Sequence, residues 1–316
     1  DLHLLSLRQR QMCIRDRYNA VSKGTWKRVL HFSDYDFATE QELADTISKG
    51  KSMNKFLLYP VTARCLPMIR FVPWKSDDFI LCSFEGSSLT GSTIGKAYEY
   101  DFLDNIVYSD EKIEALIQKI STVVLLPLES NYNSTVLRQK LKRTKELAVE
   151  YGKEILDFTE ENPKLFPLCP NPEGTSIKDI KQAVVSIGGM LDASRTFELF
   201  MAAFSALKKK KVKVSAFSSY FPSEIIGVHY IGTKKQIESI PSEQYIKSLN
   251  SYIFTTAIQE MADVVLIDLP DGFIPYNHLS TADFGVCAYK IMQAIPSDCL
   301  ISVSYTHLRA HETLRH

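Results

Sequence analysis

Most of the features that announce a function outright are missing from this sequence. None of its six cysteines stands at Cys-x-x-Cys spacing, so zinc ribbons and cysteine-held iron–sulfur clusters lack their ligands. There is no His-Glu-x-x-His pair and no Gly-x-Ser-x-Gly elbow, which removes the common signatures of zinc proteases and serine hydrolases. No apolar run approaches the roughly 20 residues of a membrane-spanning helix. Neither charge dominates, with 37 Lys and Arg against 37 Asp and Glu, so nothing electrostatic points to nucleic acid or an anionic membrane. Internal repeats and low-complexity segments are absent too, which excludes a solenoid.

The ends call for separate treatment. Arg8–Arg17 (RQRQMCIRDR) and Ser302–Thr313 (SVSYTHLRAHET) back-translate in frame to transposase adapters used in DNA library preparation. Residues 1–17 and 302–316 are therefore expected to be adapter-derived and are kept out of fold reasoning. Setting them aside removes Cys13, His307, His311 and His316 as metal ligands. It also removes 6 of the 37 basic and 3 of the 37 acidic residues, leaving a slightly acidic chain. Met53 stands directly before a strand-like run, so residues 18–52 read as a leader or as read-through from upstream. The five remaining cysteines, Cys65, Cys82, Cys169, Cys287 and Cys299, are odd in number and scattered. They read as free thiols in a reducing cytoplasm.

From Met53 the pattern alternates. Short apolar runs at 55–60, 79–84, 122–128 and 153–158 read as strands, and 110–120 and 134–152 carry helical periodicity, the second ending at a capping Gly152. Strands of this length separated by helices predict a parallel α/β sheet, here a Rossmann-like domain over 53–160. Four prolines between Glu161 and Thr175 break all periodicity, so 161–182 reads as a linker. A second α/β domain follows over 183–301. Its strands are expected at 183–189, 212–217 and 263–270 and from Cys299, and its helices at 196–211, 242–262 and 281–295. Lys208–Lys211 close the first of these helices, where cations complement the helix dipole.

Three loops carry candidate chemistry. After strand 183–189 comes Gly188-Gly189-Met-Leu-Asp-Ala-Ser194-Arg195-Thr196. It has the spacing and the strand–loop–helix setting of a phosphate-binding P-loop. Ser194 replaces the second glycine, Arg195 replaces the lysine, and Asp192 adds negative charge where phosphate oxygens would sit, so the loop is degenerate. The run Val264–Gly272 (VVLIDLPDG) brings an apolar strand to Asp268, the position of the magnesium-side carboxylate of P-loop proteins. Asp271, Gly272, Asn277 and His278 follow at the same predicted carboxyl edge, where parallel sheets bind ligands. Gly86 to Gly91, in GSSLTGST, repeats the Gly-x-x-x-x-Gly spacing with Ser92 at the lysine position. Of the other histidines, His31 stands apart, while His229 and His278 are expected near the sheet edge, where most histidines simply satisfy local hydrogen bonds.

These stretches together carry a resemblance. NKFLLYP, SSLTGST, VVSIGGMLDASRTFELFMAAFSAL, SEIIGVHY, DVVLIDLPDGFIPYNH and FGVCAYKIMQAIPSDCLISV, in this order, resemble the clostridial-type peptide maturation system proteins. The resemblance implies two domains, the second a P-loop relative with a degraded loop. It also implies an accessory role in making a modified, ribosomally encoded peptide, with the precursor peptide and a radical-type modifying enzyme as partners. It supplies no reaction. The chain departs from the family pattern at Asp271, where a glycine is expected, and at Ser92, where a lysine is expected. Both departures weigh against anion binding at those loops. Three readings stay open: an accessory factor that binds peptide or enzyme, a nucleotide-dependent ligase or kinase of the P-loop class, and a Rossmann-type module binding a small ligand near Gly86–Gly91. No metal site is predicted, and the only cofactor suggested is a nucleotide.

Overall fold

The computed structural model describes residues 56–71, 79–95, 105–128, 135–169, 174–190, 196–273 and 285–304. Both expected sheets are present, and every strand pairing within them is parallel. The protein is an α/β fold with two five-stranded parallel sheets.

The first sheet contains β1 (Phe56–Tyr59), β2 (Phe79–Ser83), β3 (Val107–Ser109), β4 (Thr122–Leu125) and β5 (Glu154–Asp157), in the order β3-β2-β1-β4-β5. Its strands are apolar on both sides because both faces are covered. Leu58, Leu81, Val107 and Val124 pack into one cluster and Leu57, Tyr59, Cys82, Val123 and Leu125 into the other. Helices α1 (Leu66–Phe71), α2 (Ile113–Gln118) and α3 (Thr135–Glu150) accompany it. As expected, α3 ends at a left-handed Gly152 (φ 60°), whose N–H reaches the carbonyl of Val149.

The second sheet holds β6 (Ala183–Gly189), β7 (Val214–Ser218), β8 (His229–Tyr230), β9 (Val264–Gly272) and β10 (Cys299–Val303), in the order β10-β6-β9-β7-β8. With it come α4 (Thr196–Lys209), α5 (Lys234–Ser239), α6 (Ser242–Gln259) and α7 (Val286–Ala294). Two boundaries differ from expectation. β9 runs on to Gly272, beyond the expected end at residue 270, and β10 continues through Ser302 and Val303, which pair with Gly188 and Gly189.

The proline-rich stretch is not a free tether. Phe166 is buried between Tyr245 and Tyr252 of α6, with ring centroids 5.1 and 6.0 Å away. Asn250 of α6 then grips Lys178 at both backbone groups, accepting from its N–H at 2.7 Å and donating to its carbonyl at 2.9 Å. The prolines rule out regular structure here, but Phe166 and Lys178 are still anchored on the second sheet's helices.

The two sheets also touch. Tyr220, just after β7, is buried in an apolar cluster of the first sheet, and Phe71 of α1 packs against one of the second. Arg70 of α1 pairs with Glu198 in the first turn of α4 at 2.7 Å.

Lys290 of α7 is only 4% exposed, and its ammonium donates to the carbonyls of Ile237 (2.6 Å), Glu238 (3.3 Å) and Ile240 (2.7 Å), closing the C-terminal end of α5. Lys290→Met keeps the apolar stem but leaves those carbonyls without their donor. It is expected to cost roughly 2–4 kcal/mol of unfolding free energy, measured by urea denaturation.

Candidate functional site

The site is built where β6 and β9 lie side by side. Their register runs regularly until Ile187 faces Asp268, then shifts so that Gly189 faces Gly272. Two steps along β6 therefore match four along β9, an irregularity of the kind that re-aims side chains beside binding sites. Asp268 sits at this break. It is not the last residue of its strand, but it stands level with the end of neighbouring β7, where Phe217 pairs with Ile267.

Asp268 is 4% exposed. Its Oδ2 accepts a hydrogen bond of 2.8 Å from the Ser218 hydroxyl, whose oxygen in turn accepts from the Tyr220 N–H at 3.1 Å. Its Oδ1 is buried and has no hydrogen-bond partner among the described residues. Burial pushes its pKa up to about 6, opposed by the Ser218 hydrogen bond and by the positive charge of Arg64. A buried carboxylate with one empty oxygen carries a desolvation cost that its surroundings do not offset.

The other residues singled out from sequence have varied settings. Asp271 is buried, and both its oxygens accept backbone N–H groups from α7, Cys287 at 2.8 Å and Ala288 at 2.9 Å. It caps a helix whose N-cap residue, Gly285, has no side chain to do so. Gly188 is a packing glycine: a Cβ there would meet Cζ of Phe273 at 2.3 Å. The Gly189 carbonyl accepts from the Phe273 N–H, and Gly272 is its partner in the ladder. Thr196 opens α4. The strand pairing thus brings Gly188, Gly189, Asp268, Asp271 and Gly272 together. Ser194, Arg195, Asn277 and His278 lie outside the described residues.

Gly86 and Gly91 belong to the first sheet and have φ of 78° and 80°, the left-handed conformation that favours glycine. The loop between them is closed on itself. The N–H groups of Thr90 and Ser92 bond to the Ser87 and Leu89 carbonyls, that of Ser87 to Phe84, and that of Gly91 to Val107. Beneath it lies a polar cluster that sequence reasoning missed. Asp110 accepts from the Tyr59 hydroxyl (3.1 Å) and the Glu85 N–H (2.9 Å), and pairs with Lys140 at 2.8 Å. Burial, then the Asp110 charge, pushes the Tyr59 phenol up and the Cys82 thiol up to about 12. Cys82 is accordingly an unreactive thiol at neutral pH.

His229 contacts Glu260 at 2.7 Å, and the Ser215 hydroxyl bonds to the other oxygen of the same carboxylate. The carboxylate stands between hydroxyl and imidazole, which is not the order that activates a serine. Among the described residues, no three His, Cys, Asp or Glu side chains gather as a metal site, and no helix is long and apolar enough to cross a membrane.

Sequence reasoning also missed Ser218, Tyr220 and Arg64. The Arg64 guanidinium lies over the Tyr220 ring, 5.0 Å from its centroid. No local motif marks these residues, because what joins them is the contact between the sheets.

Two substitutions test this geometry. Gly188→Ala forces the Phe273 ring aside and is expected to destabilise by roughly 1–3 kcal/mol, with Phe273→Ala in the same chain relieving part of the overpacking. Asp268 keeps its proton up to about pH 6 when folded, against 3.8 for an ordinary aspartate. Its contribution to stability is thus full below about pH 4 and lost as pH rises through 6, an effect on the order of 3 kcal/mol. Asp268→Asn is expected to remove that decline and to be the more stable protein at pH 7.5, measured by urea unfolding from pH 4 to 8.

No family model and no curated protein matches the chain. Among solved structures it is similar to a DUF1611 family protein from Anabaena variabilis, with a TM-score of 0.48 and 10% identity over 80% of this chain and 74% of that one.

Proposed function

We propose that this protein is an accessory factor in the maturation of a ribosomally made peptide, working in the cytoplasm, and that it binds a phosphate-bearing ligand at the carboxyl edge of its second sheet. The peptide context rests on the resemblance in sequence, and so do its partners, a precursor peptide and a radical-type modifying enzyme. The phosphate ligand rests on the unpartnered, buried Oδ1 of Asp268, on the strand that pairs with β6. A nucleotide arrives with a divalent cation on its phosphates, and that positive charge is what a buried carboxylate oxygen lacks. The first turn of α4 supplies N–H groups and the positive end of a 14-residue helix, both favourable to phosphate.

A nucleotide-dependent ligase or kinase would use the same site, and Asp268 favours it equally. The two readings separate on turnover. The Gly86–Gly91 loop supports a small-ligand module less well, since most of its N–H groups already have acceptors.

Titration calorimetry of Mg-ATP and Mg-GTP into the full chain tests the proposal. The expected result is micromolar binding that weakens about tenfold or more in Asp268→Asn and in Thr196→Ala, with no phosphate released over hours. Release of phosphate with turnover would replace the accessory reading with an enzyme. No heat at millimolar nucleotide, from protein with a cooperative melt, would overturn the phosphate site.

A further inference from the structure

A cleft opens at the carboxyl edge of the first sheet. Leu125 ends β4, Asp157 ends β5, and the two are partners in the ladder. Helix α3, which follows β4 and precedes β5, contributes Arg138, Lys142 and Lys145 to one wall. Their spacing of four and three residues puts all three on one face of the helix. The segment after β5 contributes Thr159, Glu160 and Glu161, and Leu125, Leu128 and Leu141 supply the apolar lining. The cleft has a volume of about 210 Å3. At roughly 30 Å3 per water that is room for about seven waters, below the roughly 300–1,000 Å3 of sites for larger ligands. It fits a ligand of amino-acid size and is too small to enclose a nucleotide.

The charges around it fall into two groups. Lys145 donates to Oδ2 of Asp157 at 2.6 Å, and the N–H and hydroxyl of Thr159 donate to Oδ1 at 3.0 and 2.6 Å. Burial raises the Asp157 pKa, but the hydrogen bonds from Lys145 and Thr159 outweigh it and hold the carboxyl below its ordinary value. That pair is complete without a ligand. Lys142 on the helix wall and Glu160 and Glu161 on the other have no such partner among the described residues. The geometry points to a site for an apolar α-amino acid in its zwitterionic form, with its carboxylate toward Lys142, its ammonium toward Glu160 and Glu161, and its side chain against the leucines. The carboxyl edge of a parallel sheet is where such ligands bind. A simple anion meets repulsion from the two glutamates, and a simple amine meets it from Lys142, so only a ligand carrying both charges matches both walls. Lys142, Glu160 and Glu161 are exposed, so their ion pairs stay partly hydrated and binding is expected to be in the millimolar range. The inference does not rest on the phosphate reading, which concerns the other sheet.

The test is ligand-observed NMR titration of the full chain with leucine, with 4-methylpentanoate, which lacks the ammonium, and with 3-methylbutylamine, which lacks the carboxylate. Leucine is expected to bind about threefold or more tighter than either. Lys142→Gln is expected to weaken leucine and 4-methylpentanoate by a similar factor and not to weaken 3-methylbutylamine. Glu160→Gln combined with Glu161→Gln is expected to weaken leucine and the amine but not the carboxylate. These variants change exposed side chains, and an unchanged melt checks that each is folded. Absence of leucine binding up to about 20 mM, or equal binding by wild type and both variants, overturns the site. If 4-methylpentanoate binds wild type as tightly as leucine, the acidic wall plays no part and the zwitterion is overturned. None of these outcomes bears on Mg-ATP binding at the second sheet.

Discussion

The pairing of β6 with β9 imposes a constraint that much of the second sheet has to satisfy. One residue of β6 must be matched with three of β9 between the Ile187–Asp268 and Gly189–Gly272 pairs. The surplus is absorbed at the carboxyl edge, and each neighbouring residue is shaped by it. Asp268 is buried at the break. Asp271 emerges where its carboxylate meets the N-terminus of α7. Phe273 folds back over β6 and leaves room for no side chain at position 188. Asp271 thus has a structural role as a helix cap. Such a role neither needs nor supplies a ligand.

The two sheets are joined by side chains near the carboxyl end of each. Tyr220 is buried in the first sheet's cluster although it follows a strand of the second, and Arg70 and Glu198 pair beside it. That ion pair is partly exposed and contributes little by itself. The apolar burial of Tyr220, with Phe197 partly buried against it, is the larger effect, on the order of 1.5–3 kcal/mol for a fully buried side chain of this size. A hinge that parts the sheets would have to expose these rings.

Much of this architecture is legible in the sequence, and the reason is burial. Runs such as Thr122–Leu125 and Val264–Ile267 are apolar at successive positions because both faces of a parallel sheet are covered. β3 and β8, of three and two residues, are too short to show a period, and α1 and α5 have six residues each. Asp268 was legible because an apolar strand reaching an aspartate is a local pattern. Its unpartnered oxygen was not, since that depends on Ser218, fifty residues away. The same holds for Asp271 as a cap and for Asp110 beneath the Gly86–Gly91 loop. In each case the partner is distant in sequence and comes close only when strands that are not consecutive lie side by side. The linker misled in the opposite direction: proline excludes periodicity but not anchoring, and Phe166 is held by aromatic contacts.

Asp268 and Asp271 differ in how the chain meets their charge. An asparagine at 268 would satisfy Ser218 with its carbonyl oxygen and carry no charge to desolvate. Asp271 is different, because its negative charge is matched by N–H groups and by a helix dipole. Two buried carboxylates three residues apart thus have opposite accounts. One has both oxygens matched by the chain itself, and the other leaves Oδ1 without a hydrogen-bond partner among the described residues.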